Sequence, residues 1–393
     1  MYRITQYPCL AFAVLVLIIL GTADGFADPF FEQSDLFVGG EGGYHTYRIP
    51  AMAVMPGGTV LAFVEGRKKS PSDAGDIDLM MRRSTDGGRT WSRLRLVYEE
   101  GGSTAITIGN PTPIVDRETG KLHLLFSRNN ARLFVTTSSD DGRSFTAPVE
   151  ITAAAKGFDY NWTRLGPGPT AGIQTSAGRL LAPVWLNSKI GNPDKYRTGA
   201  IYSDNHGITW RAGRVVPVDA KLRGTNESTA VELVGGKLYM TLRTNAGTPA
   251  RGKSTSSNGG QTWSQTEQES GINAVMSGVK TGMARYSTKA DSDRNRLVYS
   301  APAAAKREHM TVWISEDEAA TWPVSREIHH GPSGYSEVAI SADKTILVLY
   351  ERGSRKYYEK ITLARFNLEW LNDKNKAGYT KLEESPQIKS EKQ

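Results

Sequence analysis

Six short segments of this 393-residue chain carry groups able to grip an anion and move protons. They are Tyr47-Arg48-Ile49-Pro50; Gly66-Arg67, with Asp73 ahead of Asp76-Ile77-Asp78-Leu79; Asn226-Glu227-Ser228, sixteen residues before Arg243; Lys306-Arg307-Glu308; Gly334-Tyr335-Ser336; and Glu351 closing an apolar run. Arginine presents a planar fork of donors that holds a carboxylate in a fixed orientation. A carboxyl group serves as acid or base when its protonation state fits the task. A tyrosine hydroxyl, with a pKa of about 10, attacks only with a base at hand and cations around it. Taken singly, each residue has an ordinary reading. An arginine is most often in a surface ion pair worth at most about 1 kcal/mol, and any one of the 16 tyrosines can be packing a strand end. Other features point nowhere chemical. The six histidines lack ligand spacing, so His329-His330 reads as a loop pair rather than a metal site. Gly166-Pro167-Gly168-Pro169 is not a phosphate loop, since neither a helix nor Lys-Ser/Thr follows.

Residues this far apart in sequence need a scaffold that returns them to one place, and the chain is built from repeats. A turn-plus-strand unit recurs at Gly58-Thr59-Val60, Gly120-Lys121-Leu122, Gly178-Arg179-Leu180 and Gly236-Lys237-Leu238, its glycines 62, 58 and 58 residues apart. Weaker copies are Asn295-Arg296-Leu297 and Asp343-Lys344-Thr345-Ile346. Each opens an apolar run such as Leu122–Phe126 or Thr345–Tyr350, the mark of a buried strand. After the first five comes a second repeat, Ser-x-Asp-x-Gly-x-Thr-Trp. Its copies start at Ser84, Ser138, Ser203, Ser256 and Ser315, with Ser144-Phe145 for Thr-Trp in the second, Asn for Asp at 205 and 258 and Ala for Gly at 319. Asp or Asn closes a turn on the backbone, Gly takes a positive φ, and the aromatic residue packs inward as the next strand begins. Six units too small to bury their own faces predict an all-β, six-bladed propeller with four antiparallel strands per blade. The last unit ends at Ile361–Phe366 and lacks the second repeat, so a strand from near Phe37 or Tyr47–Pro50 is expected to complete it.

Composition agrees with a globular all-β chain: 39% apolar, 23% charged, 40 glycines and 8 tryptophans. The net charge of +7 is dispersed, without the basic block of a nucleic-acid tail. Behind Arg3, the apolar run Leu10–Leu20 is too short to span a bilayer but fits a signal peptide, residues 1–27, cleaved after Ala27 or Ala23. Export to a periplasmic or extracellular space is expected, with no membrane span afterwards. The single cysteine, Cys9, lies ahead of that run, so the mature chain would hold neither disulfide nor thiol chemistry. One domain is expected over 28–371, followed by a polar tail over 372–393.

The Ser-x-Asp turns resemble the Asp-boxes of bacterial sialidases (neuraminidases), and the six segments above are similar to that family's active-site motifs, in order, from about Phe37 to Leu371. The resemblance implies an exo-α-sialidase that removes terminal sialic acid from glycoproteins, glycolipids or oligosaccharides with retention, using no metal or cofactor. It implies that Arg48, Arg243 and Arg307 hold the sugar's carboxylate, that Tyr335 is the nucleophile and Glu227 its base, and that Asp73 is the general acid/base. A neutral phenol, deprotonated only as it attacks, would avoid the like-charge repulsion that a carboxylate nucleophile would meet beside the sugar's carboxylate. Asp76 and Asp78 are rivals to Asp73, although strand alternation would turn both to one side, where turn or core-edge hydrogen bonds could hold them. Arg67 is expected on a substrate hydroxyl and Glu351 on Arg48. The apolar pocket for the N-acyl group is left open among Trp162, Trp185 and Met283. Asn161 and Asn226 begin glycosylation sequons; a glycan at Asn226 would crowd Glu227, which argues for a source that leaves them bare. Two other functions fit the same fold: a sialic-acid-binding propeller without catalysis, which would not need both Asp73 and Tyr335, and a trans-sialidase, which would need an aromatic acceptor site.

Overall fold

The computed structural model describes residues 1, 27–102, 104–245, 251–272, 278–375 and 379–381; the proposed signal peptide lies almost wholly outside them. Strands dominate, and the two α-helices among the described residues, Thr152–Ala155 and Leu368–Asn372, are single turns. Four-stranded antiparallel sheets repeat along the chain. The first joins Thr46–Val54, Val60–Arg67, Ile77–Ser84 and Arg95–Tyr98, and the second Ile108–Asp116, Lys121–Arg128, Arg132–Ser138 and Val149–Glu150. In the third, Arg164–Pro167 and Ile173–Gln174 share the partner Leu180–Asn187, followed by Tyr196–Ser203 and Arg211–Ala212. The fourth is Ser228–Glu232, Leu238–Leu242, Gly252–Ser256 and Glu267–Gln268.

The remaining strands form one eight-stranded sheet because a single strand, Val324–Ile340, serves two neighbours. Its first half pairs with Glu308–Ser315, continuing to Arg296–Pro302 and Gly282–Ser287. Its second half pairs with Ile346–Arg352, which leads to Lys360–Phe366 and then to Phe31–Val38 from the start of the described chain. The strand around Phe37 thus supplies the expected closing partner, while Tyr47–Pro50 opens the first sheet. Tyr379–Lys381, within the segment expected to be a tail, adds an edge strand against Val324–Arg326.

Burial explains the residue pattern. Thr46–Val54 and Val60–Arg67 are buried along nearly their whole length, so apolar residues fill both faces of Ile49–Val54 and Val60–Val64 and charges appear only at the ends that carry Arg48, Glu65 and Arg67, whereas the outer Val149–Glu150 and Glu267–Gln268 are exposed. Six apolar clusters each join two successive strand groups. Leu61 and Phe63 meet Leu122 and Phe126, Leu133 and Val135 meet Leu165 and Trp210, and Leu181 meets Met240 and Trp263. Tyr239 then meets Tyr299 and Trp322, Val312 meets Val348, and Leu349 with Leu363 returns to Val60 and Val64. Each group therefore covers part of its apolar surface with a neighbour, as stacked repeats do.

The Ser-x-Asp turns share one hydrogen-bond scheme. Ser84 Oγ accepts from Gly88 N at 2.9 Å and donates to Asp86 Oδ1 at 2.7 Å, while Asp86 accepts from the Thr90 amide and hydroxyl at 2.9 and 2.6 Å. At Asn205 and Asn258 the side-chain amide donates to the Thr209 and Thr262 hydroxyls, at 2.9 and 2.8 Å. Asp86→Ala is expected to lower stability by about 1 kcal/mol, read as a lower urea midpoint at unchanged slope, because the loop amides lose their acceptor at a solvated site.

Candidate active site

The residues singled out by type converge where the inner strands begin. Arg48 lies on Thr46–Val54, just before a break in register between Arg48 and Ala51. In that bulge Ile49 takes φ 62°, a region sparsely allowed for a β-branched residue and disfavoured again before proline. Such strain, on the order of 1–3 kcal/mol, survives only where the surroundings impose it. Here Glu351, fully buried, imposes it. Its Oε1 accepts from Ile49 N at 3.1 Å and from Arg48 Nε at 3.0 Å; its Oε2 accepts from Arg48 Nη2 at 3.2 Å and from Tyr335 N at 3.0 Å. One carboxylate therefore sets the arginine, the bulge and the backbone of the tyrosine. Gly334 makes room for it, since a Cβ there would lie 2.2 Å from Glu351 Oε2. Burial opposes the charge on Glu351, but Arg48, Arg307 and the Tyr335 amide outweigh it and hold the carboxyl below its usual range.

The first two sheets repeat this device. Glu65 accepts from Asn110 N at 2.9 Å, and Asn110 has φ 59° in a bulge ahead of Pro111. Glu65 Oε2 also accepts from Arg67 Nε and Nη2, at 3.1 and 2.7 Å.

Tyr335 is 4% exposed and donates to Glu227 Oε2 at 2.5 Å. Arg243 Nη1 donates to Tyr335 Oη at 2.6 Å and also to Glu227 Oε2. The guanidiniums of Arg48 and Arg307 lie 5.3 and 5.2 Å from the centre of the Tyr335 ring. The three arginines thus surround one phenol. Among the described residues, Arg243 Nε and Arg307 Nη1 are buried without a hydrogen-bond partner, so donors remain for an incoming anion. Burial pushes the Tyr335 hydroxyl up, against the pull of Arg243, with Glu227 adding to the rise and Arg307 and Arg48 opposing it. The phenol is therefore held neutral near pH 7, with the Glu227 carboxylate within reach of its proton.

Asp73 sits in the loop after Arg67, its side chain mostly exposed, with Oδ1 3.1 Å from Arg48 Nη1 and 2.7 Å from Arg67 Nη1. Although solvent reaches it, the protein crowded around the loop takes some water from the carboxyl and would raise it, but Arg67, Arg48 and Arg307 together hold it below the usual range. Arg67, expected on a substrate hydroxyl, is held by protein acceptors. It is 1% exposed and gives its donors to Glu65, to Asp73 and to the Pro71 carbonyl at 2.5 Å, so it anchors the Asp73 loop. Asp76 and Asp78 are occupied elsewhere: Lys68 Nζ reaches them at 2.9 and 3.2 Å, and Tyr44 Oη donates to Asp78 Oδ2 at 2.7 Å.

Several groups at the site have no motif of their own. Tyr357 stacks on Arg307 at 4.5 Å and on Arg48 at 5.3 Å. Beneath Tyr335, the fully buried Lys280 Nζ donates to Glu337 Oε2 at 2.6 Å and to the Ser336 carbonyl at 2.7 Å, and Glu337 accepts from Ala171 N at 3.1 Å. Glu65 could have been found from its two-residue spacing to Arg67 on one strand face; nothing in the sequence marks Tyr357 or Lys280. The three N-acyl candidates scatter. Trp162 donates to Ala155 O at 2.9 Å, Trp185 packs near Tyr196 at 5.7 Å, and Met283 lines a cleft of about 460 Å³ at the far ends of the inner strands with Val54, Leu233 and Ile340. That cleft contains none of the arginines around Tyr335. A smaller one of about 370 Å³ opens beside the acid loop, lined by Ala74, Gly75, Thr107, Asn129, Asn130 and Arg164.

Residues 57–348 match the family model described as a BNR repeat-like domain. A sialidase of Micromonospora viridifaciens is 31% identical over 369 residues, spanning 88% of this chain and 55% of its own. A sialidase of Bacteroides fragilis is 29% identical, spanning 78% of this chain and 60% of its own. The chain therefore covers little more than half the length of these two relatives. Among solved structures, the Hadza microbial sialidase Hz136 superposes with a TM-score of 0.74 at 25% identity, over 86% of this chain and 68% of that one. These neighbours share an all-β propeller architecture with the sheets described above.

Proposed function

The chain belongs to the BNR repeat-like family, and from that premise we propose that it is an exo-α-sialidase, hydrolysing terminal sialic acid from glycans with retention through a tyrosyl intermediate. The observation that carries this reading is Glu227 within 2.5 Å of a buried, neutral Tyr335 inside a ring of three arginines. We read the strand groups as six blades. The six apolar clusters between successive groups support that count, as does the strand shared by the fifth and sixth. The five Ser-x-Asp turns are read as Asp-boxes. The apolar run Leu10–Leu20 supports export of the protein, and among the described residues no helix is long and apolar enough to cross a membrane.

The steps follow from the charges. The substrate carboxylate binds Arg48, Arg243 and Arg307 and takes the place of Asp73 on Arg48. Asp73 then loses part of its cationic surround and gains a nearby negative charge, so its pKa rises and it can carry a proton. Tyr335 Oη attacks the anomeric carbon as its proton passes to Glu227, and the bond to the leaving oxygen breaks as Asp73 protonates it. In the second half Asp73, now a carboxylate, takes a proton from water. The water oxygen attacks the anomeric carbon, and Tyr335 Oη leaves, recovering its proton from Glu227.

The test is release of fluorophore or alcohol from α-ketosidic sialosides by the wild type and by Asp73→Asn. The wild type is expected to turn over both. The variant should lose about 10²–10⁴-fold with an alkyl leaving group, which needs protonation, and far less with a phenol-type one, which does not. Binding without turnover by the wild type would leave a lectin. Equal losses on the two substrates would remove Asp73 from the acid role.

A further inference from the structure

On the edge of the strand group that carries Arg307, His309, Glu327 and His330 come together, although 18 and 21 residues of chain separate His309 from the others. His309 Nδ1 lies 2.9 Å from Glu327 Oε2, and His330 Nδ1 lies 3.0 Å from Glu327 Oε1. The two imidazoles meet edge to face, with centres 4.3 Å apart, and one ligand atom from each of the three residues lies within 4.8 Å of the others. His329, the sequence neighbour of His330, is not part of the group; it packs by Tyr350, with ring centres 6.2 Å apart. Alternation separates the adjacent pair, and the register break that adds one residue between Glu327 and His329 accompanies the meeting of Glu327 with His330.

The backbone is distorted to make this contact. Register between Glu308–Ser315 and Val324–Ile340 breaks on both sides of Met310, and His309 has φ 61°. A bulge re-aims a side chain at the cost of ladder bonds, and this one turns His309 onto Glu327.

We propose that His309, Glu327 and His330 bind one borderline divalent transition-metal ion of the Zn²⁺ class through two imidazole nitrogens and a carboxylate oxygen. Two nitrogens and one oxygen suit Zn²⁺, Ni²⁺ or Cu²⁺ rather than Ca²⁺ or Mg²⁺, which take oxygen sets. The group is open to solvent, with His330 exposed, so water completes the coordination. The ion would tie the strand that follows Arg307 to the strand that leads into Tyr335. These are already joined by Ser333 N to the Arg307 carbonyl at 2.8 Å. The site is a structural clasp beside the active site, and no step of the reaction runs through it.

The experiment is calorimetric titration of the EDTA-treated, dialysed protein with ZnCl₂ in the absence of any sialoside, so the outcome is independent of the sialidase reading. A single saturable site is expected. His330→Ala and Glu327→Gln should each weaken it by more than the ~10–100-fold that loss of an outer hydrogen-bond partner costs. His330 is exposed, so its replacement leaves the fold intact, and the variant's melting curve without metal serves as the control. Co²⁺ should give visible d–d absorption in the wild type that disappears in His330→Ala. No saturable binding of Zn²⁺ below millimolar concentration, or wild-type affinity retained in both variants, would overturn the proposal.

Discussion

Tyr335→Phe is expected to lower kcat/KM on a fluorogenic sialoside by at least ~10³-fold, a loss on the order of 4 kcal/mol of transition-state stabilisation. The substitution removes one oxygen and keeps the ring, so the packing of Arg48 and Arg307 against it survives. Arg243 and Glu227 remain paired with each other, so no unpartnered buried charge is created. Stability should therefore change little, and the melting temperature separates a chemical defect from a folding one. The substrate should still bind, because the arginines are untouched. The loss should fall on kcat, with any residual turnover by direct attack of water. Product configuration gives an independent check. Displacement through the tyrosine twice leaves the wild-type product in the α form when first released, whereas direct attack by water would give the β form, and NMR within the first turnovers distinguishes them. A Phe variant within tenfold of wild type would transfer the nucleophile's role to water and leave Glu227 as its base.

The second large effect concerns Glu351, which does no chemistry itself. Glu351→Gln is expected to destabilise the fold by about 3 kcal/mol, because it removes the only buried counter-charge of the Arg48 guanidinium among the described residues and leaves it the exposed Asp73 alone. KM should rise together with a fall in kcat, since Arg48, the Ile49 bulge and the Tyr335 amide all rest on that carboxylate. The pH dependence identifies charge as the cause. The folded pKa of Glu351 lies below its unfolded value of about 4.3, so the stabilisation is complete above that pH and is lost as pH falls through the folded pKa. The stability gap between wild type and Glu351→Gln, measured by urea unfolding, should be widest at neutral pH and narrow on acidification below about pH 4. A gap independent of pH would mean that shape rather than charge holds the site.

Both expectations depend on neighbours that the chain order hides. Arg48 and Glu351 are 303 positions apart, and Tyr335 and Glu227 are 108 apart. What could be read without coordinates was local: the Ser-x-Asp turns, whose partners lie within four residues, the buried strands with their unbroken apolar runs, and the residue types able to bind a carboxylate and move a proton. The repeat interval also implied a closed array, because units of that size cannot cover their own faces. The ion pairing of Arg67 was not legible. A strand residue's type says that it can hold an anion, but not whether a protein carboxylate already occupies it, and Glu65 and Asp73 do. Tyr357 and the Lys280–Glu337 pair were likewise invisible, since a stacked ring and a buried cation take their meaning from what surrounds them. The sequence by itself determined the repeating turns, the strands and the inventory of reactive groups, all set by interactions between near neighbours along the chain. Only the tertiary structure decided which charges meet, because a pair energy depends on a separation of a few ångströms and on the water excluded around it, and both are fixed by how the sheets close on one another.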